Sequence, residues 1–90
     1  MKDHTPKDLN LVGEVAHFYD KIGVAAINLT GNLKVGDTVR FVRGGEELFD
    51  QEVTSMQIEH QRVEAAKAGD SIGLQTTTAV KEGAEVFKLE

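Results

Sequence analysis

The sequence contains no cysteine and a single proline, Pro6, among its 90 residues. Without cysteine the chain has neither a disulfide framework nor a thiolate metal site, and this composition fits a reducing compartment. No apolar run reaches the roughly 18–20 residues that a membrane-spanning helix needs. The N-terminal stretch MKDHTPKD also lacks the hydrophobic segment of a secretory signal. These absences predict a cytoplasmic protein with no membrane partner.

Positive charge is scarce as well. The chain has 10 Lys and Arg residues against 15 Asp and Glu residues, which gives a net charge of -5. The basic residues are scattered, whereas Glu46, Glu47, Asp50 and Glu52 form an acidic segment. Because nucleic-acid backbones are bound by clustered Lys and Arg, strong non-specific binding of nucleic acid is disfavoured. A small local RNA contact stays open, since the distribution of charge matters more than its sum.

The remaining composition is that of one globular domain. Hydrophobic residues make up 40% of the chain and charged residues 28%, which is ordinary for a folded protein. A chain of this length buries enough surface for one core. Residues 1–9 are polar and show no period, so we expect a flexible tail there. We expect residues 10–90 to form a single domain.

Residues 10–19 predict the first strand, because they alternate between two faces with a period of two. Val15, His17 and Tyr19 fall on the same face of this strand. Gly13 weakens strand propensity, so it predicts a bulge or a close crossing of two backbones.

Further strands are predicted by apolar runs and by the turn residues between them. Residues 22–29 are almost continuously apolar, which is typical of a strand buried on both faces. Gly44-Gly45 predicts a tight hairpin, because such turns need positive φ angles. Residues 48–58 then indicate one long strand, and the polar residues 59–62 indicate a loop.

One local pattern occurs three times, as Lys34-Val35-Gly36-Asp37, Lys67-Ala68-Gly69-Asp70 and Lys81-Glu82-Gly83-Ala84. In each copy the glycine can adopt a positive φ, and an aliphatic residue two positions after the fourth residue begins the next strand. Where the fourth residue is Asp, its side chain can accept a hydrogen bond from nearby backbone. The copies are unequally spaced, so the pattern is one turn used repeatedly and not a solenoid repeat.

The sequence shows about six or seven short strands with regular turn signals and no amphipathic helix. This pattern predicts an all-β fold, and more specifically a small closed antiparallel β-barrel. The predicted core is made of the aliphatic and aromatic residues of these strands: Val15, Val24, Ile27, Leu33, Val39, Phe41, Val53, Ile58, Val63, Ile72, Leu74 and Val86.

Several motifs follow one another in an order that resembles a known family. They are Gly13-Glu14-Val15, then LKVGDTV at residues 33–39, VTSMQ at 53–57, AGDSIGL at 68–74 and KEG at 81–83. This order is similar to that of the second domain of translational GTPases, and the similarity covers roughly residues 10–89. The chain also resembles small stand-alone elongation-factor-like proteins and the β-barrel appended to some collagenase-like peptidases.

The resemblance implies a translation-factor β-barrel and, with it, a set of partners. In the translational GTPases this barrel contacts ribosomal RNA and, in the members that carry tRNA, the acceptor end. The sequence has no G-x-x-x-x-G-K-[S/T] phosphate loop, so no binding site for a nucleoside triphosphate is implied. The GTPase domain and the third domain of the elongation factors do not occur in it.

Side chains that carry chemistry are present but not grouped. His4, His17 and His60 lie far apart in sequence, whereas a metal site needs two or three converging ligands. The acidic segment lacks the order of a calcium loop and is typical of an exposed strand face. No Ser or Thr stands beside a base at a recognised spacing. We therefore expect no catalytic, cofactor-binding or metal-binding residues and no enzyme.

Two polar turns are the candidate contact surfaces. Tyr19 and Lys21 place an aromatic ring beside a cation, the combination with which barrel proteins bind single-stranded nucleic acid. His60 and Arg62, with Lys67 nearby, form an irregular polar loop on a rigid framework, which is where binding residues are often found. The alternative for each is a solvated loop.

Two functions follow from these observations. The first is a non-enzymatic binding module in translation that contacts ribosomal RNA, tRNA or a translation factor, as the resemblance implies. The second is a protein-interaction module, an accessory barrel for an enzyme or complex with no RNA role, which the acidic charge favours.

Overall fold

Ten β-strands and no helix make up residues 9–89, the part of the chain that the computed structural model describes. The strands are β1 (Leu9–Tyr19), β2 (Val24–Leu29), β3 (Leu33–Lys34), β4 (Thr38–Arg43), β5 (Glu46–Glu52), β6 (Met56–Ile58), β7 (Gln61–Val63), β8 (Ala65–Ala66), β9 (Ser71–Gln75) and β10 (Glu85–Leu89). The prediction of an all-β fold is therefore confirmed for these residues. Within them no helix is long and apolar enough to cross a bilayer. Residues 1–8 of the predicted tail lie outside the described part, and β1 begins at Leu9.

Eight of the strands form one antiparallel sheet in the order β5-β4-β10-β1-β2-β9-β6-β7. Strands β3 and β8 pair with each other in a separate two-stranded ribbon. The first and last strands of the chain are neighbours in the large sheet, with Leu9 opposite Leu89. The pairing order has two ends, β5 and β7, so closure of the sheet into the predicted barrel is not confirmed.

The Gln51 side chain joins β5 to the end of β9 at a place where the two backbones do not pair. The segment predicted as one long strand is interrupted between β5 and β6, so that β5 pairs with β4 and β6 pairs with β9. Next to this interruption the Gln51 side-chain amide donates to the Gln75 carbonyl at 2.7 Å. The Gln51 amide oxygen accepts from the Thr77 backbone N–H at 3.0 Å. Gln51 thus makes the two bonds that a backbone amide of a neighbouring strand would make.

One apolar core lies on the inner face of the sheet, and its largest fully buried side chains are Val15, Ile27, Leu33, Val39, Phe41, Val53, Met56, Leu74 and Val86. The predicted core residues are buried except Val24, Ile58 and Val63, which are only partly buried. Burial alternates along β2, where Ala25 and Ile27 are buried and Asn28 is exposed. The prediction that this strand is buried on both faces is therefore wrong, because only one face of β2 packs into the core.

Two bulges interrupt the register of β1. The first lies between Leu11 and Gly13, and a Cβ atom at Gly13 would come within 2.8 Å of the Ile27 side chain. Both readings of Gly13, a bulge and a close backbone crossing, are confirmed. The second bulge lies between Val15 and His17. An inserted residue reverses the alternation of faces, so Val15 is buried and His17 is exposed. Their predicted common face is wrong for this reason.

Both hairpins at the sheet ends have tight turns with two positive φ angles. Gly44 (φ 62°) and Gly45 (φ 84°) connect β4 to β5, as predicted. Glu59 (φ 51°) and His60 (φ 67°) connect β6 to β7 in the same way. Positive φ at both central residues is the geometry of a type I′ turn. The predicted loop at residues 59–62 is therefore a two-residue turn followed by the start of β7.

Candidate binding groove

Each of the first two repeated turns is held by its own aspartate. The Asp37 N–H donates to the Lys34 carbonyl at 3.1 Å, and the Asp37 carboxylate accepts from the Lys34 backbone N–H at 3.0 Å. Asp70 makes the same two bonds to Lys67, both at 3.0 Å. Gly36, the third residue of the first turn, has φ 102°. This combination is a type II turn, in which glycine is favoured at the third position.

The third copy of the turn has the backbone hydrogen bond but no aspartate, so it lacks the hydrogen bond to a side-chain carboxylate. The Ala84 N–H donates to the Lys81 carbonyl at 3.2 Å, and Gly83 has φ 89°. The pattern read from the sequence therefore forms the same kind of turn at all three positions, and β4, β9 and β10 begin one residue after it.

The two aspartate-containing turns flank a groove. In the ribbon Leu33 of β3 lies opposite Ala66 of β8, and Lys34 lies opposite Ala65. β3 and β8 run antiparallel, and each leads directly into one of these turns. A groove of about 550 Å³ lies against them and is lined by residues of both strands and both turns.

Three lysines, Lys34, Lys67 and Lys88, line this groove together with Asp37 and Asp70. The Lys34 ammonium lies 3.1 Å from the Asp37 carboxylate, and the Lys67 ammonium lies 4.0 Å from that of Asp70. Three positive and two negative side chains give the groove a local charge of about +1, although the whole chain has a net charge of -5. The groove therefore suits an anionic group or another hydrogen-bond acceptor.

The five residues predicted from sequence to bind a partner lie at three places. Tyr19 ends β1, and Lys21 lies in the turn that follows it. His60 is in the β6–β7 turn, and Arg62 is in β7. Only Lys67 lines the groove. All five side chains belong to exposed residues, and their role in binding stays a prediction.

An exposed histidine contact connects Tyr19 to the loop before β10. The His17 and Tyr19 rings meet edge to face, with centroids 4.5 Å apart. On its other side His17 Nδ1 lies 2.7 Å from the Glu82 carboxylate, and Arg43 Nε donates to the Glu82 carbonyl at 3.2 Å. The sequence pattern did not point to this cluster, because His17 and Glu82 are 65 positions apart.

The acidic segment on β5 is engaged with one arginine. Arg40 donates to both carboxylate oxygens of Asp50, at 2.7 and 3.0 Å, and to Glu47 at 3.2 Å. The hydrogen bond from Arg40 lowers the pKa of Asp50 below its usual value. Within residues 9–89 no three side chains are grouped in a way that could hold a metal ion. The predicted exposed strand face is confirmed, with Arg40 as an ion-pair partner that the sequence did not indicate.

Comparison with known proteins finds segments similar to this chain in two longer proteins. No family model matches the chain. It is 39% identical over 79 residues to an uncharacterized protease of Methanocaldococcus jannaschii, which covers 88% of this chain and 19% of the protease. It is 36% identical over 77 residues to elongation factor 1-alpha of Methanopyrus kandleri, which covers 76% of this chain and 18% of the factor. The chain thus spans about a fifth of the length of the curated relatives it matches.

Two solved structures share the fold over nearly their whole length. Both are of the C-terminal domain of a Geobacillus thermoleovorans protein named as a U32 peptidase. One has a TM-score of 0.82 at 17% identity and covers 100% of this chain and 99% of the domain. The other, a selenomethionine variant, has a TM-score of 0.79 at 18% identity and covers 86% and 96%. At this identity the structures show the fold alone. The resemblance to a translation-factor domain stands on the elongation-factor similarity, and similarity to the protease covers more of the chain.

Proposed function

We propose that this chain is a non-catalytic accessory module that works with an enzyme of the peptidase kind. The observation that carries the proposal is the 39% identity with a segment that makes up 19% of a protease. A match confined to about a fifth of a protease is what an additional domain of a larger protein would give. The crystallised C-terminal peptidase domain with the same fold supports this reading, because it shows that such a sheet can be a separate unit.

The side chains support a binding role in preference to catalysis. Ser71 donates its hydroxyl to Asn28 at 2.9 Å and not to a base. The Asp37 and Asp70 carboxylates are engaged with the backbone of their own turns. A nucleophile needs an adjacent base, and an acid–base residue needs a free proton-accepting atom. The groove with its lysines then serves to hold an acceptor group of the substrate or of the enzyme.

An exchange experiment tests this function. Three forms of the M. jannaschii protease are compared: the intact protein, a form without the matched segment, and a form in which this chain replaces that segment. We expect the replacement to restore the melting midpoint and the hydrolysis of denatured casein that the deletion lowers. The isolated 90-residue chain should hydrolyse no casein. A replacement that behaves like the deletion contradicts the proposal.

The similarity to elongation factor 1-alpha supports a second candidate function, a binding module in translation with ribosomal RNA, tRNA or a translation factor as its partner. Co-sedimentation of the chain with ribosomes at low and moderate salt, with and without RNase, tests it. Salt-sensitive and RNase-sensitive sedimentation that Arg62→Ala or Lys67→Ala weakens would favour this function. If the chain stays in the supernatant at low salt, the translation function is contradicted and only the accessory function remains.

A further inference from the structure

A second apolar cluster lies outside the core, on the outward face of β4 and β10. Val42 and Phe87 are nearly buried there, and Leu89 packs against them. On the neighbouring strand Leu11 lies directly opposite Phe87, and 47% of Leu11 is exposed. Directly opposed residues of an antiparallel pair point to the same face. Leu11 therefore extends the apolar cluster toward solvent.

Two unpaired carboxylates lie beside this cluster on the same sheet. Glu14 of β1 is directly opposite Glu85 of β10, and Glu85 is opposite Val42 on its other side. Among residues 9–89 neither side-chain carboxylate has a hydrogen-bond or ion-pair partner, and both residues are exposed. Like charges directly opposite in a sheet destabilise it. A Lys or Arg brought in by a partner would remove this repulsion, so the face is complementary to an apolar surface with basic groups at its edge.

The order of domains in the Geobacillus protein brings the part that precedes the matching domain close to the start of β1. The matching domain there is C-terminal, so the rest of that polypeptide precedes it and reaches the sheet at the start of β1. Leu11 is two residues beyond Leu9, the first residue of β1, or about 7 Å along the strand. Ile22, which is 63% exposed, lies in the turn at the other end of β1. A domain tethered at the start of β1 meets Leu11 long before it meets Ile22.

We infer that the outward face of β1, β10 and β4, with the exposed Leu11 at its centre beside the nearly buried Phe87 and with Glu14 and Glu85 at its edge, docks on the enzyme part of its peptidase relatives. The docked surface of that domain is apolar with Lys or Arg at its edge. This inference rests on the proposed accessory function and names the face by which the module attaches to the enzyme.

Hydroxyl-radical footprinting of side chains tests the inference. The oxidation of Leu11 and Ile22 is measured by mass spectrometry in the free 90-residue chain and in the exchanged M. jannaschii protease. Docking predicts that Leu11 loses most of its oxidation in the exchanged protein while Ile22 is oxidised as in the free chain. If the exchange restores the protease but Leu11 stays as reactive as in the free chain, the docking face is wrong and the accessory function stands. If the exchange restores neither the melting midpoint nor the hydrolysis of casein, the docking face and the accessory function are both wrong.

A matched pair of variants gives an independent measure. Leu11→Asp and Ile22→Asp each place a charge at a highly exposed aliphatic position, so circular dichroism of the free chain should show both folded. In the exchanged protease, docking predicts that Leu11→Asp lowers the equilibrium constant for docking by about tenfold, the loss expected at a central interface residue. Ile22→Asp should leave it unchanged. Loss of docking in Ile22→Asp with retention in Leu11→Asp would overturn the inference.

Discussion

At the scale of single residues, glycine and aspartate determine where the strands begin. Gly69 has φ 96°, and its N–H donates to the Leu29 carbonyl at 3.0 Å, so the turn is attached to the end of β2. No atom outside the adjacent residues lies within 4 Å of the position that a Cβ at Gly69 would occupy. The requirement for glycine there comes from the backbone alone, because L-residues with a side chain are strained at this φ.

Replacing Gly69 with L-alanine should lower the free energy of unfolding by about 1–3 kcal/mol, the usual cost of such backbone strain. The matched control is D-alanine at the same position, introduced by chemical synthesis, which has the same volume and favours positive φ. Urea denaturation of both proteins measures the difference. Equal stabilities for the two enantiomers would show that the strain is absent.

Asp50 gives a prediction that depends on pH. Its pKa is lowered in the folded chain by the hydrogen bond from Arg40. A carboxylate with a lowered folded-state pKa stabilises the protein above its unfolded pKa, about 3.9, and this contribution is lost as the pH falls through the folded value. Asp50→Asn should therefore lower the melting midpoint at pH 7, and the deficit should shrink below about pH 4. Asp20→Asn in the β1–β2 turn is the control. A deficit that is the same at pH 7 and pH 2 would contradict the assignment.

At the scale of elements, the side chain of Gln51 links β5 to the segment that follows β9. Gln51→Ala removes the hydrogen bonds to the Gln75 carbonyl and the Thr77 N–H. It should lower the free energy of unfolding by about 1 kcal/mol, because these backbone groups can then form hydrogen bonds with water. Urea denaturation measures this, and hydrogen exchange of the Thr77 amide should become faster. Gln57→Ala, at an exposed position of β6, is the control. Unchanged exchange at Thr77 would show that the link does not hold the two segments.

The sequence predicted these elements where local chemistry decides them and failed where distant strands do. Gly44-Gly45 and the three glycine turns were predictable, because a positive φ is a property of the residue itself. The interruption between β5 and β6 was not, since Gln51 meets Gln75 across 24 positions. The second bulge in β1 likewise depends on the register with β2.

The groove shows the same division. Lys67 was predicted as a contact residue, but Lys34 and Lys88 were not, because only the pairing of β3 with β8 and the path of β10 bring them to the same place. A signal was present in the sequence. The Lys and the Asp of both Lys-x-Gly-Asp copies line the groove.

At the scale of the whole molecule, a single core joins the strands, and 16 of its residues are buried together. We expect one cooperative unfolding transition, as for most small single domains. The chain has one tyrosine and no tryptophan, so tyrosine fluorescence reports on Tyr19 alone, at the end of β1. Thermal transitions followed by this fluorescence and by far-ultraviolet circular dichroism should coincide. An earlier fluorescence transition would show that the β1–β2 hairpin opens by itself.

Because Leu9 pairs with Leu89, the two ends of the sheet lie close together, and the domain can be inserted into another protein. Directly paired residues of antiparallel strands have Cα atoms about 5 Å apart. This sheet can therefore be inserted into a surface loop of a host protein. Its two ends are one strand spacing apart, so the insertion scarcely changes the distance between the two cut ends of the loop. Joining the two ends and opening the chain at Gly44 and Gly45 should for the same reason give a circular permutant that keeps the fold, because the new termini lie in an exposed turn.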